Sequence, residues 1–148
     1  MDYSNSNCCL SYGISSRMTK KSSIVKQILI CDDIADNCFL FQTYLEIKGY
    51  DVDIVTSGIA ALDKIKSKKF DLLLLDVMMP GMNGYEVARR IREDPTLKSI
   101  AIILVTACEE TLVRRECQVT VDGVLRKPCV PDALLSQVEI ALESKFQL

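Results

Sequence analysis

Phe70-Asp71-Leu72-Leu73-Leu74-Leu75-Asp76-Val77-Met78-Met79-Pro80-Gly81-Met82-Asn83-Gly84 decides how this chain is read. Leu72 to Leu75 is an apolar run with no polar alternation, which suits a short strand buried on both faces, as in the middle of a parallel sheet. The run stops on a carboxylate, Asp76. Pro80, Gly81, Asn83 and Gly84 then force a turning loop. In open α/β sheets, ligands gather at the carboxyl ends of the strands. Asp76 is therefore expected at the rim of a site, although a lone Asp can equally just end a strand.

The flanking chain repeats the pattern. Gln27 to Cys31 is a second apolar strand, and it ends on Asp32-Asp33. A helix follows, with Ile34, Cys38, Phe41 and Leu45 on one face and Leu40, Tyr44 and Ile47 beside it; Gly49 stops it. Asp51 to Val55 alternates like a strand, and Ser57-Gly58 opens a helix through Ala61, Leu62 and Ile65. That helix ends in Lys64, Lys66, Lys68 and Lys69, which suit the negative end of the macrodipole. Beyond Asp76, a helix begins at Asn83 or Gly84 and carries Tyr85, Val87, Ala88 and Ile91. Ile100 to Val105 is a fourth strand, ending on Thr106-Ala107. Glu109 to Cys117 is a short polar helix with a Glu110–Arg114 pair. Asp122 to Arg126 is a fifth strand, ending on Lys127-Pro128, and Val130 to Lys145 is the last helix, with Leu134, Val138 and Ala141 facing inward. Five alternations of strand and helix imply an α/β protein whose parallel sheet is covered on both faces.

Composition narrows the function. At 148 residues the chain favours one domain, long enough to bury a core without staples. Charge is nearly balanced, 18 basic against 20 acidic residues, so no nucleic-acid surface is expected. Residues 1–26 hold Arg17, Lys20, Lys21 and Lys26 against Asp2, a charge of +3, which leaves −5 of the net −2 on the remainder. There is no histidine, which removes Ser-His-Asp catalysis, histidine metal sites and a phosphohistidine carried by this chain. Seven cysteines show no CxxC pair or zinc-like spacing and read as small buried hydrophobes in a reducing cytoplasm. No apolar run approaches the ~20 residues of a membrane span. Residues 1–25 are rich in Ser and Asn, without period, and are expected to be disordered or loosely attached. Met18 is a possible second start, and free thiols explain Cys8-Cys9 better than lipid attachment does.

Four strand ends thus carry polar groups: Asp32-Asp33, Asp76, Thr106 and Lys127. Strand ends of a parallel sheet share one rim, so these groups can converge. Three carboxylates ~5 Å apart would repel by roughly 3 kcal/mol per pair at an effective dielectric of 20. Lys127 offsets part of that, and a hard divalent cation, Mg²⁺ or Mn²⁺, would offset the rest. A carboxylate beside such a cation, a hydroxyl and an ammonium is equipped to receive a phosphoryl group. On this arithmetic, neutralising Asp32 should stabilise the metal-free protein.

These motifs, Ile-Cys-Asp32-Asp33, Leu-Leu-Leu-Asp76-Val-Met-Met-Pro80-Gly-Met-Asn-Gly84, Val-Thr106-Ala107 and Leu-Arg-Lys127-Pro128, resemble the response-regulator receiver domain of two-component signalling. The likeness covers about residues 26–146. It implies a doubly wound, flavodoxin-like sheet of five parallel strands with five helices. It implies that Asp76 is phosphorylated by a histidine kinase or phosphotransfer protein. It also implies that Asp33 binds Mg²⁺ directly, that Asp32 acts largely through water, and that Asp76 and the Met78 carbonyl complete the protein's share. Thr106 and Lys127 would contact the phosphoryl group. The chain would catalyse only its own phosphorylation and dephosphorylation, and would signal to an undetermined downstream protein through a contact surface. With no helix-turn-helix or enzyme domain after Leu148, it reads as a stand-alone receiver.

Three positions depart from the receiver pattern. Val124 stands where Phe or Tyr is usual, three residues before the lysine, and Thr120 stands where Gly is usual. Gly123 also replaces a frequent Asp. A switch through a swinging aromatic ring on the fifth strand is therefore not expected. Other Asp-centred sites fit less well. A haloacid-dehalogenase-type phosphatase needs an acid two residues after the nucleophile, where this chain has Met78. A flavodoxin-type phosphate cradle would be repelled by Asp32-Asp33. An inert acidic pocket in an interaction domain is the remaining alternative.

Overall fold

The structure is a computed structural model and describes residues 24–97 and 99–145. The expectations for the N-terminal segment, including Cys8, Cys9 and a start at Met18, lie outside the described residues. Five strands, β1 (Gln27–Cys31), β2 (Asp51–Val55), β3 (Leu72–Asp76), β4 (Ala101–Thr106) and β5 (Gly123–Arg126), form one sheet. All pairs are parallel, in the order β2-β1-β3-β4-β5. Between and after them run α1 (Ala35–Ile47), α2 (Gly58–Ser67), α3 (Gly84–Glu93), α4 (Glu110–Glu116) and α5 (Pro131–Lys145). The first strand of the described residues, β1, lies inside the sheet, and the later strands add outward on both sides, so the strand order reverses between β1 and β3.

Alternate residues of β3 serve opposite layers. Leu72 and Leu74 pack with Cys38, Phe41 and Leu45 of α1 and with Leu134, Val138 and Ala141 of α5. Leu73 and Leu75 pack with Ala61 and Ile65 of α2, Val87 and Ile91 of α3 and Val113 of α4. Every residue of β3 and β4 is buried, which is why neither strand shows polar alternation. Truncating any of these leucines to Ala is expected to cost ~2–5 kcal/mol.

Local chemistry sets the element ends. Ser57 Oγ accepts from the Ala60 amide at 3.1 Å and caps α2; Asn83 Oδ1 accepts from Glu86 at 3.0 Å and caps α3. Gly49, at φ +96°, closes α1 in the left-handed region. Strands β4 and β5 each begin one residue later than the apolar run suggests, and α4 and α5 are trimmed by a residue at one or both ends. On α1 the expected stripe narrows: Cys38, Phe41 and Leu45 are buried, but Ile34, Leu40 and Ile47 are exposed and Tyr44 is half-buried. The sheet and α5 cover only one narrow face of α1, so apolar side chains flanking that face stay in water. Lys64 and Lys68 do more than meet a helix dipole, since both reach Asp53 of β2, at 3.6 and 3.0 Å. Cys31, Cys38 and Cys117 are buried as expected, whereas Cys108 and Cys129 are half-buried.

Candidate acidic site at the sheet's carboxyl rim

The register of the sheet brings the four predicted strand ends together. Cys31 lies opposite Leu75, Asp76 opposite Val105, and Thr106 opposite Arg126. Asp32, Asp76 and Lys127 therefore extend from neighbouring or next-but-one strands onto one rim. Asp32, Asp33 and Asp76 each present a carboxylate oxygen within 4.8 Å of the others. The Lys127 ammonium reaches into the group, 3.1 Å from Asp76 Oδ1 and 3.6 Å from Asp32 Oδ2. Its own amide donates to the Thr106 carbonyl at 2.8 Å, which fixes where the lysine leaves β5. Lys127-Pro128 is a cis peptide bond.

The three acids are not equivalent. Asp33 is exposed. Asp32 is buried, and its carboxylate accepts from the Ile34 amide at 2.9 Å and from Asn37 Nδ2 at 3.2 Å. These two bonds hold Asp32 against the start of α1, which itself has no side-chain cap. Asp76 is also buried, 3% exposed. Burial pushes its carboxyl above the usual value and Asp32 adds to the effect, while the hydrogen bond from Lys127 and its charge pull the other way without prevailing. Burial works against the Lys127 charge too, but the hydrogen bond to Asp76 and the charges of Asp76 and Asp32 outweigh it, so its ammonium is held above the usual lysine value. The two directions agree physically. Lys127 faces two carboxylates, whereas Asp76 has one ammonium against two like charges.

The pocket is thus short of positive charge, and its donors are all oxygen. That chemistry fits a hard divalent cation such as Mg²⁺. The same geometry moves the expected relief of repulsion from Asp32 to Asp76. Asp32 holds two donors and shares Lys127, so neutralising it to Asn would set an amide group against donors.

Thr106 is fully buried at the end of β4, and its hydroxyl accepts from the Cys108 amide at 3.1 Å. Val124 lies opposite Leu104 and packs, half-buried, on the same core layer as Tyr85 and Cys108. The Met78 side chain is 69% exposed, on the loop that leaves Asp76. Gly84 closes that loop: its amide donates to the Val77 carbonyl at 2.9 Å, and a Cβ there would stand 2.5 Å from the Asp76 carbonyl oxygen. One participant in the site, Asn37, and one structural tie far from it, Arg92, escaped the sequence. Asn37 sits off the apolar stripe of α1 and has no spacing signal. Arg92, a half-buried residue of α3, donates to the carbonyls of Thr120 and Ile100 at 2.8 and 2.7 Å and to Asp122 at 2.9 Å. It ties the segment before β5 to α3 at the opposite edge of the sheet, and only the unusual Thr120 had marked that region.

Residues 28–139 match the family model of the response regulator receiver domain. The chain is 40% identical over 83 residues to the response regulator PleD of Caulobacter vibrioides, a stretch covering 56% of this chain and 18% of that protein. It is 34% identical over 122 residues to the response regulator ArlR of Staphylococcus saprophyticus, covering 82% and 54%. The chain therefore spans about a fifth and about half of these two relatives. Among solved structures, the receiver domain of a signal transduction histidine kinase from Syntrophus aciditrophicus superposes with a TM-score of 0.77 at 30% identity, covering 84% of this chain and 95% of that one. The chemotaxis protein CheY4 of Vibrio cholerae gives 0.76 at 28%, covering 80% and 99%. The sheet order, the rim of acids with its lysine and these likenesses agree: the chain belongs to the response regulator receiver domain family, whose members act as phosphoacceptors in two-component signalling.

Proposed function

We propose that Asp76 is the phosphoacceptor of this receiver and that its reaction depends on Mg²⁺ or Mn²⁺ held by Asp33 and Asp76, with the Met78 carbonyl beside them and Asp32 acting through water. The observation that carries this reading is the convergence of three carboxylates on one lysine at the sheet's carboxyl rim. When bound, the cation would neutralise charge on the phosphoryl oxygens. Asp76 ends a fully buried strand, so its carboxylate is held with little freedom to turn away. One of its oxygens attacks the phosphorus of a phosphohistidine on a sensor kinase or phosphotransfer protein. A P–O bond forms, the P–N bond breaks, and the imidazole nitrogen leaves with the bonding pair. Lys127, freed from the full carboxylate charge, turns its ammonium to a phosphoryl oxygen. Thr106 supplies a hydroxyl beside it. Water attack on phosphorus later returns the carboxylate and inorganic phosphate.

The chain's chemistry on this reading is confined to its own phosphorylation and dephosphorylation. Its output is a contact with a downstream protein, in the cytoplasm. Among the described residues no helix is long and apolar enough to cross a membrane. Incubation with acetyl phosphate and Mg²⁺, followed by mass spectrometry, tests the assignment. The wild type should gain one hydroxylamine-labile phosphoryl group and Asp76→Asn none. A label that survives in Asp76→Asn, or a wild type that takes none, overturns it. Turnover of phosphoester substrates would favour a phosphatase instead.

A further inference from the structure

We propose that Gly58, which carries no functional group and begins α2, is a positioning residue for the Asp76 site. The inference rests on the metal-binding reading above. The loop from Val77 to Asn83 leaves the phosphoacceptor and carries the Met78 carbonyl, and it leans on the start of α2 at two points. Met82 is the first. A Cβ at Gly58 would stand 3.1 Å from both Met82 Cβ and the Met82 carbonyl oxygen, and 2.8 Å from Val87 Cγ2 on α3. Met79 is the second, and it reaches α2 only by way of β1: the Cys31 thiol lies 3.6 Å from Met79 Sδ and 3.4 Å from the carbonyl oxygen of Ser57, the residue that caps α2. The loop is thus wedged between α2 and the Gly84 closure against Asp76.

Backbone conformation does not explain the glycine. Gly58 has no left-handed φ, and in a helix Ala is favoured over Gly by ~1 kcal/mol in interior positions. What the hydrogen atom permits is close approach: buried Gly58 lets α2 seat directly on the loop and on Val87. A methyl group there cannot fit unless the Val87 side chain shifts and Met82, whose backbone carbonyl is among the close atoms, gives by a few tenths of an ångström. The movement of Met82 displaces the segment between Asp76 and Gly84, where the chain supplies a carbonyl to the site. A ligand-bearing loop displaced by a few tenths of an ångström binds metal less well even when the fold survives.

Calorimetric titration with MgCl₂ of the full chain, alongside melting in EDTA, tests this. Gly58→Ala should weaken Mg²⁺ binding about tenfold, the lower end for groups that orient metal ligands. Its rate of phosphorylation by acetyl phosphate at subsaturating Mg²⁺ should fall in parallel. Adding Val87→Ala removes the nearest obstructing atom, so the double variant should recover most of the affinity. Leu62→Ala, a buried residue of the same helix that points into the core, should lower the melting temperature and leave Mg²⁺ affinity within twofold of the wild type. Wild-type affinity in Gly58→Ala overturns the proposal, and so does an equal loss in Leu62→Ala, which would mark a general packing defect. A wild type that binds no Mg²⁺ overturns the metal-binding reading and this inference together.

Discussion

The Lys127 ammonium contacts Asp76 Oδ1 at 3.1 Å although β3 and β5 are not neighbours. It reaches past the end of β4, the strand that closes on buried Thr106. Any change in charge at Asp76 is therefore felt by β5 through the lysine and by β4 through the backbone bond from Lys127 to Thr106. This relationship orders the predictions that follow.

Asp76 should make stability depend on pH. Its carboxyl is raised in the folded protein, so folding favours the protonated form. The penalty is absent below the unfolded value near 3.9 and complete once pH exceeds the raised folded value. Asp76→Asn should therefore raise the melting temperature in EDTA at pH 7. The gain should shrink towards zero as pH falls to ~3.5, below the unfolded value. A destabilised variant at pH 7 would show that the Lys127 pair outweighs burial and repulsion.

Asp33 and Asp32 should separate by readout. Asp33 is exposed, so Asp33→Ala should abolish most Mg²⁺ affinity while hardly moving the melting temperature in EDTA. Asp32→Ala leaves the Ile34 amide, Asn37 and Lys127 short of an acceptor, and should cost ~2 kcal/mol without metal. Equal effects of both variants on stability would contradict this division.

Thr106 should couple phosphorylation to the segment beyond it. Thr106→Ala frees the Cys108 amide and removes the hydroxyl from the rim, yet leaves Asp76 able to accept phosphate. Hydrogen exchange over residues 107–126 should then lose most of its dependence on phosphorylation. Val124 is β-branched and short, so it cannot swing far. Val124→Tyr should widen the same exchange change. An unaltered response in Thr106→Ala would place the coupling elsewhere.

The Arg92–Asp122 pair should be structural. Both side chains are largely buried, at 12% and 13% exposed, and Asp122 also accepts from the Ile102 amide at 2.8 Å. Burial lowers the Arg92 pKa even though Asp122 opposes the shift. Removing one partner leaves a buried charge poorly compensated, so Asp122→Ala should cost about 3 kcal/mol. Chemical denaturation would detect it, and phosphorylation of the folded fraction should be unchanged.

The sequence by itself determined the architecture and the membership of the site. Five short strand-like runs alternating with helices, four of them ending on Asp, Thr or Lys, fit only a parallel sheet between helices. That topology sends every strand end to one rim, so Asp32, Asp33, Asp76, Thr106 and Lys127 were legible as a set. Tertiary structure alone decided how the set divides. Asp32 and Asp33 are adjacent in sequence and identical in chemistry, but one turns inward to Asn37 and Lys127 and the other faces water, a choice made by the start of α1. The same holds for α1's outer residues, where apolar periodicity is wider than the face the sheet can cover. Gly58 reads as a helix start in one dimension; only the approach of Met82 and Val87 gives it a reason. Periodicity and strand ends are properties of the chain taken a few residues at a time, whereas ion pairing, burial and close approach depend on which distant residues the fold brings within a few ångströms.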